Sequence, residues 1–460
     1  EECLKLLHVL DDNNNLFRNL EKSDLTNVSK LQNYIPIYDK FFSLNDTNYN
    51  SINLNHNSIK CINSKVNENK YIATITDDSG NDTFSDIFFK YSPLLDPTKY
   101  ITGKYDMSDN LLELPVYDNK IGYAKIRDPN NSAYVDGFFS YLCSHLLNKY
   151  KFTHGINYYG SFLGIKNNFI YDINDEIEYL YDSDFFHKNN NVLFKLDENI
   201  HLHLLNTDTR NYKKKINILD DVNDTSLNNY HELDEINNLF IIDDISNNNI
   251  ITNDSSDVEL CYEGTIQRTT SEDSVNTCSS TSSYSDIDNN EQEISDSESS
   301  ENSSILSDEV MNININEFPV QVIALERCNN TLDSIINENN TSDNELSCIV
   351  VQILMMLITY QKVFKFTHND LHTNNIMYVE TDKKYLIYKY KNKIYKIETY
   401  GKIFKLIDFG RAIYSFRKNL ICSDSYHPKG DAATQYNFEP YYNSDKDIIE
   451  PNYSFDLCRL

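Results

Sequence analysis

An acidic, serine-rich stretch divides this sequence and limits what the rest of it can fold into. From about residue 167 to residue 316 the chain is polar, and the stretch culminates in TCSSTSSYSDIDNNEQEISDSESSENSSILSDE. Such a segment cannot bury enough apolar surface to offset the entropy of ordering its backbone, roughly 1–2 kcal/mol per residue. Closing a loop costs only about 0.6 kcal/mol more for each doubling of its length, so a compact domain tolerates such an insertion. The sequence therefore predicts a largely disordered insertion between two folded pieces.

The charge of the chain argues against two classes of partner. Its 460 residues carry 70 acidic and 41 basic side chains, a formal net charge of −29. This balance repels the phosphates of nucleic acid and offers no basic patch for a membrane surface. The chain does not open on an apolar segment, and its apolar runs are interrupted by polar residues. We therefore predict no nucleic-acid partner, no secretion and no membrane span.

The cysteines indicate a reducing compartment. All nine are scattered without a C-x-x-C pair, and several lie in apolar runs such as YLCSHLL. This distribution favours free thiols over a disulfide framework, so we expect a cytoplasmic or otherwise intracellular protein. The chain lacks an initiating Met and stops abruptly at SFDLCRL, which suggests a fragment cut at both ends.

The first piece has the pattern of a small antiparallel sheet with one helix. Residues 1–50 are Asn-rich and weakly periodic, and we interpret them as an N-terminal extension. From about residue 58, short alternating runs such as YIATITD and SDIFFKYS are typical of strands. The segment 131–150 has apolar residues at helical spacing after an Asn-Ser start that can cap its first turn.

The second piece begins with a buried strand and continues into a long apolar helix. The run EFPVQVIALERC predicts the strand, and residues 343–366 predict a core helix rather than a membrane span. Farther along, KYLIYKYKNKIYKIET alternates with period two around a Lys-Asn pair, which predicts a hairpin.

Two motifs in the second piece carry the chemistry. The loop FTHNDLHTNNIMYV follows the apolar helix directly, and Asp408 of IFKLIDFGRAI comes 33 residues after Asn375. The polar side chains of these two motifs include Asp370, Asn375 and Asp408. Carboxylate and amide oxygens of this kind are hard ligands that suit Mg²⁺.

These motifs resemble the protein kinase family. Its catalytic loop, of the form His-x-Asp-Leu-x-x-x-Asn, is matched by residues 368–375, and its Asp-Phe-Gly metal motif by residues 408–410. The resemblance implies that Asp370 orients the acceptor hydroxyl and takes its proton, and that Asn375 and Asp408 bind the Mg²⁺ of MgATP. His368 belongs to the same loop and is included among the predicted catalytic residues.

Two further strings extend the resemblance. The run VQVIALERC is similar to the strand and hinge that contact adenine, which implies Leu325 as gatekeeper and contacts from the Glu326 carbonyl and the Cys328 backbone. The final YSFDLCRL resembles the start of a helix whose aspartate braces the catalytic loop, which implies that role for Asp456.

The phosphate-binding lysine has two candidates. Lys90 ends a short apolar strand in SDIFFKYSPLLDP, and Lys125 in IGYAKIRD is its rival. In the family this lysine pairs with a helix carboxylate, which here would be Asp136 rather than the usual Glu. Because the side chain is shorter, the helix would have to lie closer. We favour Lys90.

The sequence departs from the family at several points. The strand pair around residues 58–78 contains no Gly where a glycine-rich loop would cover the phosphates, so an inactive pseudokinase remains an alternative. His372 replaces the usual loop lysine, a form similar to haspin-like kinases and small-molecule phosphotransferases. It could contact the γ-phosphate or Asp370, or act as a packing residue.

The predicted fold class is α+β: a two-lobed, protein-kinase-like fold with a small antiparallel-sheet N-lobe, one N-lobe helix and a mainly helical C-lobe truncated after the start of the brace helix. The predicted regions are an N-terminal extension (1–50), an N-lobe (51–166), the acidic insertion (167–316), the last N-lobe strand and hinge (317–330) and an incomplete C-lobe (331–460). The composition and strings such as SPLLDP resemble those of kinase-like proteins of giant DNA viruses, and this resemblance would imply the host cytoplasm or the virion as the location.

The function that this resemblance implies is ATP- and Mg²⁺-dependent phosphorylation of Ser/Thr in a protein substrate. A pseudokinase scaffold and a small-molecule phosphotransferase are the alternatives. The oligomeric state is not predicted. The implied catalytic residues are Asp370, Lys90, His368 and His372; those binding the nucleotide are Lys90, Asp136, Leu325, Glu326, Cys328, Asn375 and Asp408; those binding metal are Asn375 and Asp408.

Overall fold

The period-two runs of both pieces form one curled antiparallel sheet in the computed structural model, which describes residues 5–6, 9–10, 13–22, 25–77, 79–107, 110–118, 122–174, 176–181, 183–196, 258–259, 311–338 and 341–460. Seven strands build this sheet: β2 (Val28–Gln32), β4 (Ser58–Lys65), β5 (Lys70–Thr76), β6 (Asp82–Pro93), β7 (Tyr158–Asp172), β8 (Phe194–Leu196) and β10 (Asn312–Glu326). Their order is β2-β7-β10-β6-β5-β4, with β8 also paired to β10. Two short strands, β1 (Val9–Leu10) and β3 (Ile52–Asn53), pair separately.

The strand β10 joins the two pieces of the sequence. It follows the acidic insertion in the chain, yet it pairs with β6 on one side and β7 on the other. The ordered pieces also extend into the segment predicted as insertion: β7 runs to Asp172, and β8 and two short helices follow, α5 (Ile177–Tyr181) and α6 (Asp184–Asn189). At its other end the predicted insertion includes the first residues of β10, and apart from a two-residue strand β9 (Val258–Glu259) residues 197–310 lie outside the described residues.

Residues 13–50 are not a separate extension. The helix α1 (Asn14–Lys22) buries Leu16 and Leu20, and β2 is an edge strand of the large sheet. The next segment buries Tyr34 and Tyr38. This prediction was wrong because Asn-rich composition hid the few apolar positions that face the sheet.

The predicted helix over 131–150 is confirmed as α4 (Ser132–Tyr150), and the Asn131 side chain accepts a hydrogen bond from Ala133 N–H as its cap. Residues on all sides of α4 are buried between Ala133 and Leu146, because it lies between the sheet and the second piece. Two short helices precede it, α2 (Pro97–Ile101) and α3 (Ala124–Arg127).

The second piece is less helical than predicted. Its helices are α7 (Leu332–Asn337), α8 (Asp343–Phe364) and α9 (Phe455–Arg459). Alternating residues between the catalytic-loop motif and residue 422 form strands instead: β12 (Ile376–Glu380), β13 (Tyr385–Tyr390), β14 (Lys393–Glu398), β15 (Lys402–Leu406), β16 (Ile413–Phe416) and β17 (Asn419–Cys422), with β11 (Asn330–Thr331) paired to β12. The predicted hairpin is confirmed as β13–β14, with Lys391 and Asn392 at positive φ in its turn.

The apolar helix α8 supports this second piece. Ser342 caps it, and its buried residues include Ile353, Met356 and Tyr360. Within the part of the chain that the structure describes, α8 is the one helix long and apolar enough to cross a membrane by length and composition. A helix buried in a protein core meets the same two criteria, and one side of α8 packs beneath β14 and β15.

A buried histidine joins the first piece to the second. His154 Nδ1 lies 2.7 Å from the Phe404 carbonyl oxygen and His154 Nε2 lies 2.7 Å from Tyr388 Oη. Because a carbonyl only accepts, Nδ1 carries the proton and Nε2 accepts from the tyrosine hydroxyl. The neutral ring is therefore the form that fits this joint.

Stability should fall in mild acid through His154. Burial lowers the pKa of His154 from 6.5 to about 4. The neutral ring therefore contributes its full stability above pH 6.5 and loses it as the pH falls toward 4, because the unfolded chain takes up the proton first. We expect a loss of about 2 kcal/mol between pH 7 and pH 5, measured by urea unfolding. His154→Gln should reduce this slope, and parallel pH curves for the two proteins would contradict the assignment.

Candidate functional site

Lys90 is the centre of a three-residue charge cluster. Its Nζ lies 2.7 Å from Asp136 Oδ2 on α4 and 2.9 Å from Asp408 Oδ1 after β15. Burial lowers the pKa of Lys90, but the two carboxylates outweigh burial and the net shift is upward. Burial raises the pKa of Asp136 despite Lys90. Burial alone would also raise the pKa of Asp408, but the positive charge of Lys90 outweighs burial, and the pKa of Asp408 is lowered. The structure thus brings Lys90 to Asp136, whereas Lys125 lies elsewhere.

A glycine lets the short carboxylate reach the lysine. Gly137 follows Asp136 on α4, and a Cβ at that position would lie 2.2 Å from Gln321 Nε2 on β10. Gln321 is itself buried. At this point the helix therefore approaches the sheet more closely than any residue with a Cβ would allow.

We expect Gly137→Ala to lower stability, although alanine has the better helix propensity by about 0.8–1.0 kcal/mol. The added methyl group must push the Gln321 amide aside or move α4 away from β10. Gln321→Ala should make room, so the double variant should lose less stability than the sum of the single variants. Urea unfolding of the four proteins measures this coupling. Strictly additive losses would argue against a close approach.

The segment 408–410 is held in an unusual backbone conformation. Asp408 has φ of +61°, in the left-handed region that non-glycine residues rarely adopt. Phe409 N–H donates to Asp136 Oδ1 over 3.0 Å, and the Phe409 ring packs against Phe139 of α4 with 4.7 Å between centroids. Helix α4 therefore positions this segment through both a hydrogen bond and a ring contact.

The predicted brace and the catalytic-loop motif are in contact. Asp456 on α9 is buried and accepts from the backbone N–H groups of His368, over 2.8 Å, and Asn369, over 2.7 Å. Asn369 has φ of +65°. His368 Nε2 donates to the Ile407 carbonyl oxygen over 2.9 Å. The loop is thus fixed by the Asp456 carboxylate through its backbone, and by the Ile407 carbonyl, next to Asp408, through the His368 side chain.

Asp370 carries two contacts that the sequence did not predict. Arg459 Nη2 lies 3.3 Å and Arg411 Nη1 lies 3.5 Å from Asp370 Oδ1. Arg411 also pairs with Asp431 at 2.6 Å. Both contacts to Asp370 use Oδ1, and within the described ranges no residue hydrogen bonds to its Oδ2. One carboxylate oxygen is therefore anchored while the other remains available to a hydroxyl group.

His372 orients Asn375 rather than Asp370. Asn375 Nδ2 donates to the Asp370 carbonyl oxygen over 2.8 Å and lies 3.0 Å from His372 Nε2. An amide nitrogen only donates, so His372 Nε2 is the acceptor and lacks a proton. Burial lowers the pKa of His372, which favours this neutral form. With both amide hydrogens engaged, the Asn375 oxygen is directed away from them.

Lys125 has a different partner. It pairs with Asp424, whose other oxygen accepts from Ser132 N–H over 2.9 Å at the first turn of α4. Asp424 is nearly fully buried, and burial raises its pKa against the opposing effect of Lys125. The segment after the 408–410 motif is thereby attached to the start of the helix that carries Asp136. Nothing in the sequence signalled this contact.

Variants at Asp424 should separate its two contacts. Asp424→Asn removes the ion pair but retains an oxygen for Ser132 N–H, whereas Asp424→Ala removes both. We expect the Ala variant to be less stable than the Asn variant by about 1 kcal/mol, with faster amide exchange in residues 132–136. Denaturant unfolding and hydrogen exchange measure the two effects. Equal behaviour of the variants would show that the Ser132 contact contributes nothing.

The predicted hinge residues lie at the end of β10. Leu325 and Cys328 are buried. The Glu326 side chain pairs with Lys405 of β15 and accepts from Asn157 N–H over 2.6 Å. Lys405 was not predicted, and it ties the hinge to the strand that leads to Asp408. The residues predicted to contact adenine therefore lie together at the end of β10, and the pairing of Glu326 with Lys405 attaches them to β15.

The turn where a glycine-rich loop was expected has another composition. It connects β4 to β5 through residues 66–69, and Phe89 N–H donates to the Asn69 carbonyl oxygen over 2.8 Å. Glu68 in this turn pairs with Lys65 at 3.0 Å and approaches Lys166 at 3.6 Å. The turn lies beside the strand of Lys90 but is anchored by side chains rather than by glycines.

In the part of the chain that the structure describes, no group of three or more His, Cys, Asp or Glu side chains could hold a metal ion. A surface cavity of about 340 Å³ beside Phe41, Ile52 and Arg417 is lined by none of the residues above.

No protein-family model matches the chain. A search of curated proteins finds a similar stretch in a Caenorhabditis elegans protein named "Uncharacterized protein ZK177.2", 30% identical over 108 residues. The match covers 21% of this chain and 36% of the worm protein. That name states no activity, so the function of this chain rests on its own residues.

Proposed function

We propose that this chain is a protein-kinase-like phosphotransferase that moves the γ-phosphate of ATP to Ser/Thr of a protein substrate. The observation that carries the proposal is the sharing of Lys90 between Asp136 and Asp408, at 2.7 and 2.9 Å. A lysine held in this way between a helix and an Asp-Phe-Gly segment offers its ammonium group to phosphate oxygens.

The residues present fit Mg²⁺. Asn375 directs a neutral amide oxygen, and Asp408 supplies a carboxylate with a lowered pKa that is ionised at neutral pH. Hard oxygen donors of this kind, completed by phosphate oxygens and water, are the usual ligands of Mg²⁺. Bound Mg²⁺ would neutralise charge on the transferred phosphate. The chain's own residues would hold the ion, position the phosphates through Lys90 and receive the acceptor proton.

Asp370 is the residue that would act on the acceptor. Its Oδ1 is held by Arg411 and Arg459, and its Oδ2 can accept the hydrogen of a serine or threonine hydroxyl. Removing a positioned general base costs about 10²–10⁴-fold in rate. Arg411 and Arg459 are positioning residues in this scheme, because they act through Asp370.

The first test is nucleotide binding and phosphate transfer. With ATP at 100 times its dissociation constant and Mg²⁺ present, the free energy of unfolding should rise by about 2.7 kcal/mol. Asp408→Asn and Lys90→Met should lose this shift, while Lys104→Met, the same change at an exposed lysine, should keep it. Asp370→Asn should bind ATP but transfer phosphate to protein acceptors at least about 10²-fold more slowly. Absence of any shift at millimolar ATP would refute the enzyme proposal.

His372 should govern the requirement for Mg²⁺. In His372→Phe the Asn375 amide loses one of its two anchors, and residues that support a metal ligand typically contribute about 10–100-fold to metal affinity. We expect a higher Mg²⁺ concentration for half-maximal phosphate transfer, with KM for the acceptor unchanged. Thr373→Val, which affects the neighbouring contact to Asp333, is the matched control. An unchanged Mg²⁺ profile would exclude the positioning role.

A second candidate is a catalytically inactive scaffold of the same kinase-like fold. The observation that favours it is the turn 66–69, where Glu68 lies in place of glycines that would approach phosphates. The same ATP experiment decides between the two, because a scaffold of this kind would show no Mg²⁺-dependent shift and no transfer.

A further inference from the structure

The hairpin β13–β14 concentrates positive charge in an acidic protein. Residues 383–398, here called the lysine hairpin, contain six lysines and one acidic residue, Glu398, although the whole chain has a net charge of −29. The prediction that the chain offers no basic patch was therefore wrong locally. The net charge of the whole chain does not determine the charge of a local surface, because salt screens charges that lie farther away than a Debye length of about 8 Å.

The outer face of the lysine hairpin combines these charges with exposed apolar groups. Tyr385, Ile387 and Lys389 point outward from β13, opposite Glu398, Lys396 and Ile394 of β14. Ile387 is 49% and Ile394 is 59% exposed. Within the described ranges no carboxylate forms an ion pair with Lys384, Lys391, Lys393 or Lys396; the side chains of Lys384 and Lys396 lie over the Tyr385 ring instead. Such a face suits a partner with carboxylates and a few apolar side chains.

The hairpin is a firm platform for such a partner. Its inner face buries Leu386, Tyr388 and Ile397 against α8. The Tyr388 hydroxyl is fixed by His154. Because the hairpin is already ordered, binding on its outer face would cost little further conformational entropy.

We propose that this outer face is the docking surface of the chain's own acidic tract, residues 271–309. That tract contains 11 Asp and Glu residues, no Lys or Arg, and isoleucines set among the acids, as in SDIDNNEQEISDSE. Its composition is therefore the complement of the hairpin in both charge and apolar content. The proposal does not depend on the proposed function, since it stands whether or not the chain transfers phosphate.

The position of the acidic tract in the sequence favours it over an acidic partner that is not part of this chain. β9, from the same insertion, pairs with the edge of β13, with Val258 opposite Tyr390 and Glu259 opposite Lys389. The acidic tract begins 12 residues after Glu259 and can span at most about 40 Å from it. Tethering at this range gives an effective concentration near the millimolar level, which outside acidic partners rarely reach. Nucleic acid would also have to overcome the negative charge of the rest of the chain.

Carbodiimide crosslinking of the intact chain tests the proposal, because it joins a lysine amine directly to a carboxylate. In 0.15 M salt we expect crosslinks from the tract to the hairpin lysines at about tenfold the yield found at the exposed controls Lys104 and Lys446, falling toward the control level in 1 M salt. In a variant with Lys389, Lys393 and Lys396 changed to Gln, crosslinks at the two remaining exposed lysines of the hairpin, Lys384 and Lys391, should also fall. Equal yields at hairpin and control lysines would overturn the proposal.

Binding of the tract as a separate peptide is an independent test of the proposal. In a full-length chain whose 11 tract acids are changed to Asn or Gln, the hairpin should bind a labelled peptide of residues 271–309. Adding the three Lys→Gln changes should weaken Kd about tenfold. Failure of the peptide to bind would overturn the proposal. So would binding of oligodeoxythymidine to the unmodified chain through those lysines in 0.15 M salt, which would make the surface a nucleic-acid site.

Discussion

The ion pairs of Lys90 impose the main constraint on this structure. Burying a charged group is costly unless partners with good geometry surround it, and breaking one partnership leaves an uncompensated charge. Lys90 has two partners on separate elements, Asp136 on α4 and Asp408 after β15. The sheet, the helix and the loop must therefore meet at one point. The narrow helix–sheet spacing at Gly137 is one consequence of this requirement.

Two strained residues depend on the same arrangement. Asn369 and Asp408 both have positive φ, a conformation that persists only where surrounding contacts over-determine it. Asp456 accepts from Asn369 N–H, and the Tyr436 hydroxyl donates to the Asn369 side chain. Lys90 and the hydrogen bond from Phe409 to Asp136 do the same for Asp408. Charges and hydrogen bonds from other elements therefore stabilise the strained backbone of both loops. The same contacts fix the positions of the two motifs.

Sequence reasoning succeeded where the signal was local. Periodicity located α4, α8 and the β13–β14 hairpin, and the expected pairing of Lys90 with Asp136 is present at 2.7 Å. It failed where a contact joins distant residues: Asp424 meets Lys125, and Arg411 meets Asp370, without any pattern that marks them. Gly137 was a readable signal, because a glycine inside a helix is unfavourable unless packing requires it. The strand at 312–316 was missed because asparagines alternate there with the buried isoleucines. The strand at 28–32 was missed because Val28 is its one buried residue, among polar neighbours.

The lysine hairpin and the hinge share one buried joint. His154 connects Tyr388 of the hairpin to the Phe404 carbonyl, and the next residue along β15, Lys405, pairs with Glu326 of the hinge. A ligand on the hairpin can shift the hinge only if this joint has a second arrangement to which the ligand binds better. Both nitrogens of His154 are engaged and the ring is fully buried, so any second arrangement would leave buried polar groups unpaired. The joint therefore favours a fixed platform over a switch, and binding at the hairpin should leave the contacts of Glu326 and Lys405 unchanged.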